Sequence, residues 1–415
     1  MISDNRCSLD KELLWHPFTP MREWCDPEHE PLALVRGEGA WLFDQHGRKY
    51  LDGNSSIWTN IHGHAHPIIH GAIKDQLDRV AHTSFLGFTH EPAMLLGKEL
   101  AELSGLDRVF YSDNGSTAIE CAARMALQYW EQNGHPERTL MIAFDAAYHG
   151  DTLGAASLGG IPLFKGAGNQ FGYRVQRVAT VDDLQSLNPA EIAAVMVEPL
   201  IQGSAGMRVW PQGMLKTLET WCRANDVFLI LDEVMTGFGR TGTMFACQRE
   251  EVKPDFLCLA KGLTAGYLPM AATITTQRVF DGFLGDGRAF YYGHSYTASQ
   301  LGCAAALGSL KVFREENTLQ NLQPKIALLS ELLKAFQAMP QVKEVRQCGF
   351  IAGIELLDQP PGTGAKVCMA ARKHQLLTRP VLNTLVLMPP LSVDKDELGQ
   401  MADALRKAVQ EICPA

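Results

Sequence analysis

The sequence predicts an α/β fold in which a mostly parallel sheet is flanked by helices and followed by a smaller α+β domain. Short apolar runs without alternation recur along the chain, and segments of helix length separate them. Strands of that composition are buried on both faces, as in a parallel sheet covered by helices on both sides. The predicted strands occupy residues 109–111, 140–143, 193–197, 227–231 and 256–260.

The 415 residues are long for a single core, so two or three structural units are expected, and the pattern along the chain divides it into three. Residues 1–60 contain short strands and a turn between 32 and 52, and we expect them to pack with the C-terminal domain. Residues 61–310 are predicted to form the large domain. This domain includes a helix at 117–130, whose apolar residues recur at a spacing of three and four.

Residues 311–415 predict the smaller α+β domain, because the pattern changes to long helices around a few short strands. The predicted elements are a helix at 319–339, strands near 349–356 and 385–388, and a last helix at 395–412.

The composition is that of a soluble globular enzyme, with 46% hydrophobic and 20% charged residues. The 37 Lys and Arg against 46 Asp and Glu leave a net charge of −9. This charge argues against a general nucleic-acid binder, because polyanion binding requires clustered cations. No apolar stretch reaches the length of a membrane span. Residues 1–14 are polar and mixed in charge, so we expect neither a signal peptide nor a transit peptide.

The ten cysteines contain no Cys-x-x-Cys pair, and most of them lie within apolar segments. Buried, reduced thiols are therefore expected, together with a cytoplasmic location. The segment His62-Gly63-His64-Ala65-His66 suggests a metal site, but this glycine-containing loop has no carboxylate or cysteine partner at ligand spacing. No metal is predicted.

Two predicted strands end next to residues that suit one chemistry. Asp232 follows the run 227–231, and Lys261 follows the run 256–260, 29 positions later. A lysine can bond covalently to the aldehyde of pyridoxal 5′-phosphate, and an aspartate can keep the pyridine nitrogen protonated so that the ring accepts electrons. A lone lysine after a strand is more often a surface residue, so the prediction depends on the surrounding motifs.

Polar motifs follow three further strands, at the edge where parallel sheets bind ligands. Residues 112–117 combine a glycine and hydroxyls with a helix N-terminus, which is either an anion site or a capped helix start. Tyr148 is placed either to stack on a cofactor ring or to pack on the core. Glu198 ends a buried strand ahead of Pro199.

A nucleotide hydrolase is the rival interpretation of this sequence, because an apolar run before Asp232 and Glu233 matches a Walker-B strand. Such an enzyme also needs a Gly-x-x-x-x-Gly-Lys-Ser/Thr loop, which the sequence lacks. The glycine-rich stretch 362–366 has the wrong spacing and follows no predicted strand. The hydrolase is therefore disfavoured.

The block from Asp232 to Lys261 resembles the class III aminotransferases. The matching residues are Leu231-Asp232-Glu233, Thr236-Gly237-Phe238-Gly239-Arg240-Thr241-Gly242, Pro254-Asp255 and Lys261-Gly262. The resemblance runs from about residue 15 to the C-terminus. It implies fold type I of the pyridoxal-phosphate enzymes, pyridoxal 5′-phosphate as cofactor, and a homodimer.

Within this class, further segments resemble the branch that transaminates 8-amino-7-oxononanoate in biotin biosynthesis. These segments are 15–19, 53–58, 61–64, 126–130, 148–152, 378–380 and 387–390. The branch takes its amino group from S-adenosylmethionine or, in part of it, from lysine. Phe18 and Ile57 depart from the best-known sequences, and Phe18 with the pattern at 60–64 resembles the part that uses lysine. The amino donor therefore stays open.

The resemblance implies a role for each matching cofactor residue. Lys261 carries the cofactor and Asp232 contacts its pyridine nitrogen, and both are expected to be catalytic. Gly115 and Ser116 are expected to bind the phosphate. Tyr148 is expected to stack on the ring, to belong to the catalytic set and, with Lys261, to contact the substrate.

The remaining roles concern the substrate and the second subunit. Trp58 and Gly293 are expected to line the substrate site, and Arg379 to bind the substrate carboxylate, a pairing that guanidinium geometry favours. Ser295 stands where the family usually has a threonine that reaches the phosphate in the partner subunit. The resemblance therefore implies a homodimer with shared active sites.

Two alternatives remain. One is a different class III enzyme, such as an aminotransferase of ω-amino acids or ornithine, or a glutamate-semialdehyde mutase. Trp58 and the segment 15–19 argue against it. The other is a non-enzymatic regulator with the same fold, which the intact Asp232 and Lys261 disfavour.

Overall fold

The computed structural model describes residues 4–161 and 171–414. Seventeen strands form four sheets within these ranges. In chain order the strands are β1 (Leu34–Glu38), β2 (Trp41–Asp44), β3 (Lys49–Asp52), β4 (Arg108–Ser112), β5 (Leu140–Phe144), β6 (Val175–Val178), β7 (Ile192–Val197), β8 (Ile201–Gln202), β9 (Arg208–Val209), β10 (Phe228–Asp232), β11 (Phe256–Leu259), β12 (Ala271–Thr275), β13 (Val342–Cys348), β14 (Ile351–Leu356), β15 (Leu376–Leu377), β16 (Pro380–Val381) and β17 (Thr384–Leu387).

Helices cover the sheets and connect the strands. The α-helices of the described residues are Asp4–Leu13, Met21–Trp24, Pro67–Arg79, Glu91–Ser104, Gly115–Gln132, Leu153–Leu158, Met214–Ala224, Gln277–Asp281, Gln300–Glu315, Thr318–Gln337, Thr363–Ala371 and Lys395–Ile412. Short 3-10 helices are found at Asp182–Ser186, Pro189–Glu191, Ala246–Glu250, Lys261–Thr264 and Arg372–His374.

The largest sheet has seven strands in the order β4-β12-β11-β10-β7-β5-β6. The neighbours from β11 to β6 are parallel, and β12 runs antiparallel to both β11 and β4. This mostly parallel sheet confirms the predicted fold class. Strands β12 and β6 were not predicted, because only the short 3-10 helix Lys261–Thr264 separates β12 from β11 and because β6 contains alternating polar residues.

The central strands are apolar throughout because successive side chains enter two different cores. On β10, Leu229 and Leu231 pack in the core on one face of the sheet, whereas Phe228 and Ile230 pack in the core on the other. All five residues of β10 are buried. Helix Gly115–Gln132 covers the second face and buries Trp130, whose indole donates to the carbonyl of Ala193 at 2.9 Å.

The predicted helices agree closely with the structure. The helix expected at 117–130 spans Gly115–Gln132, and the one expected at 319–339 spans Thr318–Gln337. The last helix spans Lys395–Ile412, as expected. The first of the short strands expected between residues 32 and 52 spans Leu34–Glu38, where hairpin pairing with β2 sets its register.

Strands from both ends of the chain share one sheet, in the order β1-β2-β3-β15. The short strand β15 pairs in parallel with β3, where Leu376 faces Leu51. A separate antiparallel sheet, in the order β13-β14-β17-β16, belongs to the C-terminal part. These pairings place the N-terminal strands beside C-terminal residues, while the domain limits near residues 60 and 310 stay a prediction.

Other expected features can be compared with the described residues. The nine cysteines whose side chains the structure describes, from Cys25 to Cys413, have free thiols. No helix in these ranges combines the length and apolar character needed to cross a membrane.

The histidines of the loop at 62–66 make separate contacts. His62 is buried, and burial lowers its pKa to about 3, while its ring packs edge-on against Phe313 at 4.6 Å. His64 instead contacts Asp52 through Nε2 at 3.0 Å.

Candidate active site

A cavity of about 1020 Å³ opens beyond the carboxyl ends of β10 and β11. Its walls come from the N-terminal segment, the large sheet and the hairpin around β16. Seven of the nine predicted site residues line it: Trp58, Gly115, Ser116, Tyr148, Asp232, Lys261 and Arg379. The carboxyl edge of the sheet therefore brings together most of the residues that the sequence singled out.

Asp232 is the last residue of β10 and lies beside Cys258 of the neighbouring β11. Its carboxylate is buried and is held at both oxygens. His149 donates from Nδ1 to Oδ2 at 2.7 Å, and the amide of Val234 donates to Oδ1 at 3.1 Å. These bonds fix the direction in which the carboxylate faces the cavity.

Lys261 follows β11 and begins the 3-10 helix Lys261–Thr264. Its backbone has a φ of 43°, a left-handed conformation that is uncommon for a residue other than glycine. Burial lowers the pKa of its amine, while the negative charges of Asp232 and Glu198 act in the opposite direction. A lowered pKa favours the neutral, nucleophilic form of the amine.

His149 was not predicted as a site residue, although it lies in the motif around Tyr148. Its side chain is fully buried, and no protein atom in the described ranges partners its Nε2. The sequence contained one signal for it, a histidine next to Tyr148 in the loop that follows β5. Its pairing with Asp232 spans 83 positions and could not be inferred from local pattern.

Glu198 was noted at a strand end without a role, and the structure shows what it contacts. One carboxylate oxygen accepts from the amide of Tyr148 at 3.2 Å, and the other accepts from the amide of Gly203 at 3.0 Å. Glu198 thereby ties together two loops of the cavity. Burial raises its pKa to about 7, the charge of His149 opposes this shift, and the charge of Asp232 adds to it.

The N-terminus of helix Gly115–Gln132 points at the cavity. Asn114 caps it by accepting from the amide of Thr117 at 3.0 Å, within a capping box. A Cβ on Gly115 would lie 2.7 Å from Cγ1 of Val234, so this position admits only glycine without movement. Helix N-termini present free N–H groups and positive potential to anions.

Gly150 and Ser116 are in equally close contact. Gly150 has a φ of 121°, and an added Cβ would collide with the Ser116 side chain. Ser116 Oγ accepts from the amide of Asp151 at 3.1 Å. The two loops that follow β4 and β5 are thus locked together around the helix terminus.

Two aromatic residues form walls of the cavity. The Tyr148 hydroxyl donates to Asp151 at 2.6 Å, and burial together with this carboxylate raises the pKa of the phenol. The Trp58 ring centroid lies 4.8 Å from Nζ of Lys261. Arg379 is exposed at the rim, between β15 and β16.

Gly293 and Ser295 lie outside this cavity and are both exposed. The intervening His294 lies near the rim, with Nε2 at 3.8 Å from Oδ1 of Asp113. A single chain therefore does not bring these two predicted residues to the other seven. Tyr291 and Tyr296, which flank them, are 85% and 62% exposed, so this segment presents uncovered aromatic surface.

The two acidic residues at the end of β10, Asp232 and Glu233, have different surroundings. Asp232 faces the cavity, whereas Glu233 is fully buried on the other side. The Glu233 carboxylate accepts from the amides of Ala246 and Cys247 at 2.6 and 2.8 Å and so caps a 3-10 helix. A hydrolase of the Walker-B type would need the second carboxylate at the ligand, so this geometry argues against that interpretation.

The cavity residues fit pyridoxal 5′-phosphate. Lys261 offers an amine of lowered pKa for the aldehyde, and Asp232 offers a fixed carboxylate for the pyridine nitrogen. The glycine-lined helix terminus at Gly115 offers N–H donors for a phosphate. Each part of the cofactor thus has a chemically matching group in one cavity.

Comparisons with known proteins agree with this site. A family model described as aminotransferase class-III matches residues 25–409. An adenosylmethionine-8-amino-7-oxononanoate aminotransferase of Geobacter sulfurreducens is 43% identical, with 97% of each chain covered. The protein of that name from Aquifex aeolicus is 44% identical over 97% of this chain and 96% of its own length.

Solved structures are similar over almost the whole chain. The crystal structure of adenosylmethionine-8-amino-7-oxononanoate aminotransferase from Methanocaldococcus jannaschii has a TM-score of 0.96 at 41% identity and covers 99% of each chain. A PLP-bound amine transaminase from an uncultivated Pseudomonas species has a TM-score of 0.90 at 31% identity, with 96% of this chain and 98% of that chain covered.

Proposed function

The chain belongs to the class III aminotransferases, which are pyridoxal-phosphate enzymes, and we propose that it converts 8-amino-7-oxononanoate to 7,8-diaminononanoate in biotin biosynthesis. One observation carries the proposal. Lys261 and Asp232 meet at the carboxyl ends of two adjacent strands, in a cavity that also has the guanidinium of Arg379 at its rim. The names of relatives at 40–45% identity support the substrate.

Pyridoxal 5′-phosphate, when bound, supplies an electron sink for the carbon that exchanges the amino group. Asp232 would hold the proton on the pyridine nitrogen, and His149 would keep the carboxylate oriented. Lys261 Nζ would first carry the cofactor and then, once released, move a proton at the reacting carbon. A general base must reach that carbon within hydrogen-bond distance, which a flexible lysine in the same cavity can do.

The other roles follow from the placement of the side chains. Gly115 and Ser116 would bind the phosphate, and Tyr148 would stack on the ring. Arg379 would bind the substrate carboxylate as a paired, charge-assisted contact, which leaves the apolar chain of the substrate against Trp58. The reacting end of the acceptor would then lie near Lys261, at the opposite end of the cleft from its carboxylate.

S-adenosylmethionine is the proposed amino donor, because several relatives carry it in their names. Lysine is the second candidate, favoured by Phe18, which lines the cavity. The two can be separated in a half-reaction without acceptor. We expect the visible cofactor absorbance to be lost on mixing with S-adenosylmethionine and to stay on mixing with lysine. The reverse result would identify lysine as the amino donor.

A homodimer with shared active sites is also part of the proposal. Ser295 and Gly293 are exposed and lie outside the cavity of their own chain, as expected for residues that serve the partner's site. Exposed apolar residues such as Leu86, Phe88 and Tyr291 would be covered in such a dimer. A cytoplasmic location is supported by the free thiols of the described cysteines.

A growth test examines the proposed reaction directly. The gene is introduced into a biotin-requiring bacterial strain that lacks the 8-amino-7-oxononanoate aminotransferase. Growth without biotin is expected with the wild-type chain and not with Lys261→Ala. No growth despite soluble, cofactor-loaded protein would contradict the proposed substrate and favour another class III aminotransferase, whose amine substrates would then be screened.

A further inference from the structure

The cavity wall that carries Trp58 has an unusual backbone. Residues Ser55–Trp58 form one turn of left-handed helix, with φ values of 47°, 48°, 66° and 66°. None of the four is glycine, and left-handed turns of L-residues bring Cβ too close to the following carbonyl oxygen. Such a turn persists only when the surrounding structure holds it in place.

The buried carboxylate of Asp52 is the main group that holds this turn. Its Oδ1 accepts from the amide of Ser56 at 2.9 Å, and its Oδ2 accepts from the Ser56 hydroxyl at 2.8 Å. Asp52 is only 2% exposed, so these bonds face little competition from water. The first half of the turn is therefore hydrogen-bonded to a buried carboxylate that lies outside the substrate cavity.

His64 fixes the carboxylate in turn. Asn60 Nδ2 donates to His64 Nδ1 at 3.0 Å, and Asn60 Oδ1 accepts from the amide of Gly63 at 2.7 Å, which sets the orientation of the Asn60 amide. Because Nδ1 of His64 accepts, Nε2 carries the hydrogen and donates to Oδ2 of Asp52 at 3.0 Å. The donor and the acceptor are therefore defined for each hydrogen bond from Gly63 through Asn60 and His64 to Asp52.

At its other end the turn fixes the position of the Trp58 indole. Asn54 Oδ1 accepts from the indole Nε1 at 2.8 Å, and the ring centroid lies 4.8 Å from Nζ of Lys261. On a second side the indole faces Gly203, where an added Cβ would be in van der Waals contact with the ring at 3.4 Å.

We propose that Asp52 is a positioning residue: through the left-handed turn Ser55–Trp58 it holds the indole of Trp58 against the amine of Lys261. The turn keeps side chains rather than glycines because three of them are used, the Ser55 hydroxyl on the carbonyl of Met388, the Ser56 hydroxyl on Asp52, and the indole in the cavity. The inference rests on the proposed function only in assigning Trp58 to the substrate cleft.

A matched control exists in the same sheet. Asp44 is 1% exposed and accepts from the amides of His46 and Arg48, the Arg48 guanidinium and the Tyr50 hydroxyl. It stabilises the hairpin of β2 and β3 without contacting the turn. Asp44→Asn and Asp52→Asn therefore each remove one buried carboxylate. Only the Asp52 carboxylate is hydrogen-bonded to the turn that carries Trp58.

The first readout uses the protein without cofactor. The near-ultraviolet circular dichroism that is lost in Trp58→Phe defines the contribution of this indole. Asp52→Asn is expected to lose the same contribution, because an amide must place its NH₂ group against either the Nε2–H of His64 or the backbone N–H of Ser56, and either contact releases the turn. Asp44→Asn is expected to keep it. This measurement does not depend on which reaction the enzyme catalyses.

The second readout is a double-mutant cycle on kcat/KM for the acceptor. Asp52→Asn should lower it on the order of tenfold in the wild-type background and change it by less than about twofold in Trp58→Leu, because the two residues act as one unit. Asp44→Asn should have the same small effect in both backgrounds. Additive losses for Asp52→Asn, or an unchanged dichroism, would overturn the proposal.

If Asp52→Asn does not yield folded protein, Ser56→Ala decides by the same two readouts, since it removes one of the two bonds to Asp52 and leaves the core unchanged. If the wild-type chain does not act on the acceptor, the proposed function fails, and the dichroism alone tests the positioning role.

Discussion

The imidazole of His149 donates a 2.7 Å hydrogen bond to the carboxylate of Asp232, and both side chains are buried at the base of the cavity. The pair joins the loop after β5 to the end of β10. A carboxylate that must face a cofactor nitrogen needs such a fixed partner, since otherwise it can rotate away. This contact therefore leads to the first prediction.

His149→Leu should lower kcat about 10- to 100-fold, because a hydrogen bond to a charged group contributes about 1.5–3 kcal/mol. His149→Asn should recover part of the loss, since its amide nitrogen can donate from a position close to that of Nδ1. Steady-state kinetics and the pH dependence of the visible cofactor absorbance would be measured for both. Equal losses in the two variants would mean that His149 acts by packing and not through Asp232.

Lys261→Ala should abolish turnover and remove the visible absorbance of the covalently bound cofactor, because no other amine lines the cavity close to Asp232 among the described residues. Absorption spectra of the purified variant provide the measurement. Lys253→Ala is the control, since Lys253 is an exposed lysine of the same segment. Retained absorbance together with retained activity would reject the assignment of Lys261.

Arg379→Lys should raise KM for the acceptor, because a lysine ammonium cannot form the paired contact that a guanidinium makes with a carboxylate. The loss in kcat/KM should be on the order of tenfold or more, as expected for a charge-assisted hydrogen bond. An acceptor analogue without the carboxylate should be affected little. Arg406→Gln serves as a control, since Arg406 is a half-buried arginine of the last helix that pairs with Asp403.

Mixing two inactive variants tests the shared site. Lys261→Ala chains and Ser295→Arg chains are combined and allowed to exchange subunits. Each heterodimer would contain one doubly damaged site and one intact site, so activity should return to about one quarter of the wild-type value for a symmetric dimer. No recovery after mass spectrometry has verified the exchange would show that Ser295 does not serve the partner's site.

The pH dependence of stability should reveal the buried carboxyl of Glu233, whose pKa burial raises from 4.5 to about 7. Above pH 4.5 the unfolded chain releases a proton that the folded chain retains. The folded state therefore loses stability as the pH rises from 4.5 to 7, and the loss levels off above the folded pKa. The size of this effect is on the order of 3 kcal/mol.

Glu233→Gln lacks this titration. Its melting temperature relative to wild type should therefore increase by a few degrees, roughly, between pH 5 and pH 7.5. Glu250→Gln is the control, because Glu250 also accepts from backbone amides, those of Gly213 and Lys216, but is only half-buried. A temperature difference that stays constant with pH would contradict the raised pKa of Glu233.

The parts of the site that follow strand ends could be predicted from the sequence. Asp232 and Lys261 could be placed because each follows an apolar run, and parallel strands bring their carboxyl ends to one edge. The helix Gly115–Gln132 could be placed because its apolar spacing and its Asn114 cap are local signals. The chemistry of these residues was likewise readable from their type.

Contacts between segments that are distant in sequence could be seen only in the folded structure. The pairing of β12 with β4, the pair of His149 with Asp232 and the carboxylate of Glu198 between two loops depend on partners far along the chain. The left-handed turn Ser55–Trp58 opposes local preference, which disfavours each such residue by about 1–2 kcal/mol. Local preference predicts only conformations that the neighbouring residues favour, and this one exists because the buried Asp52 holds it in place.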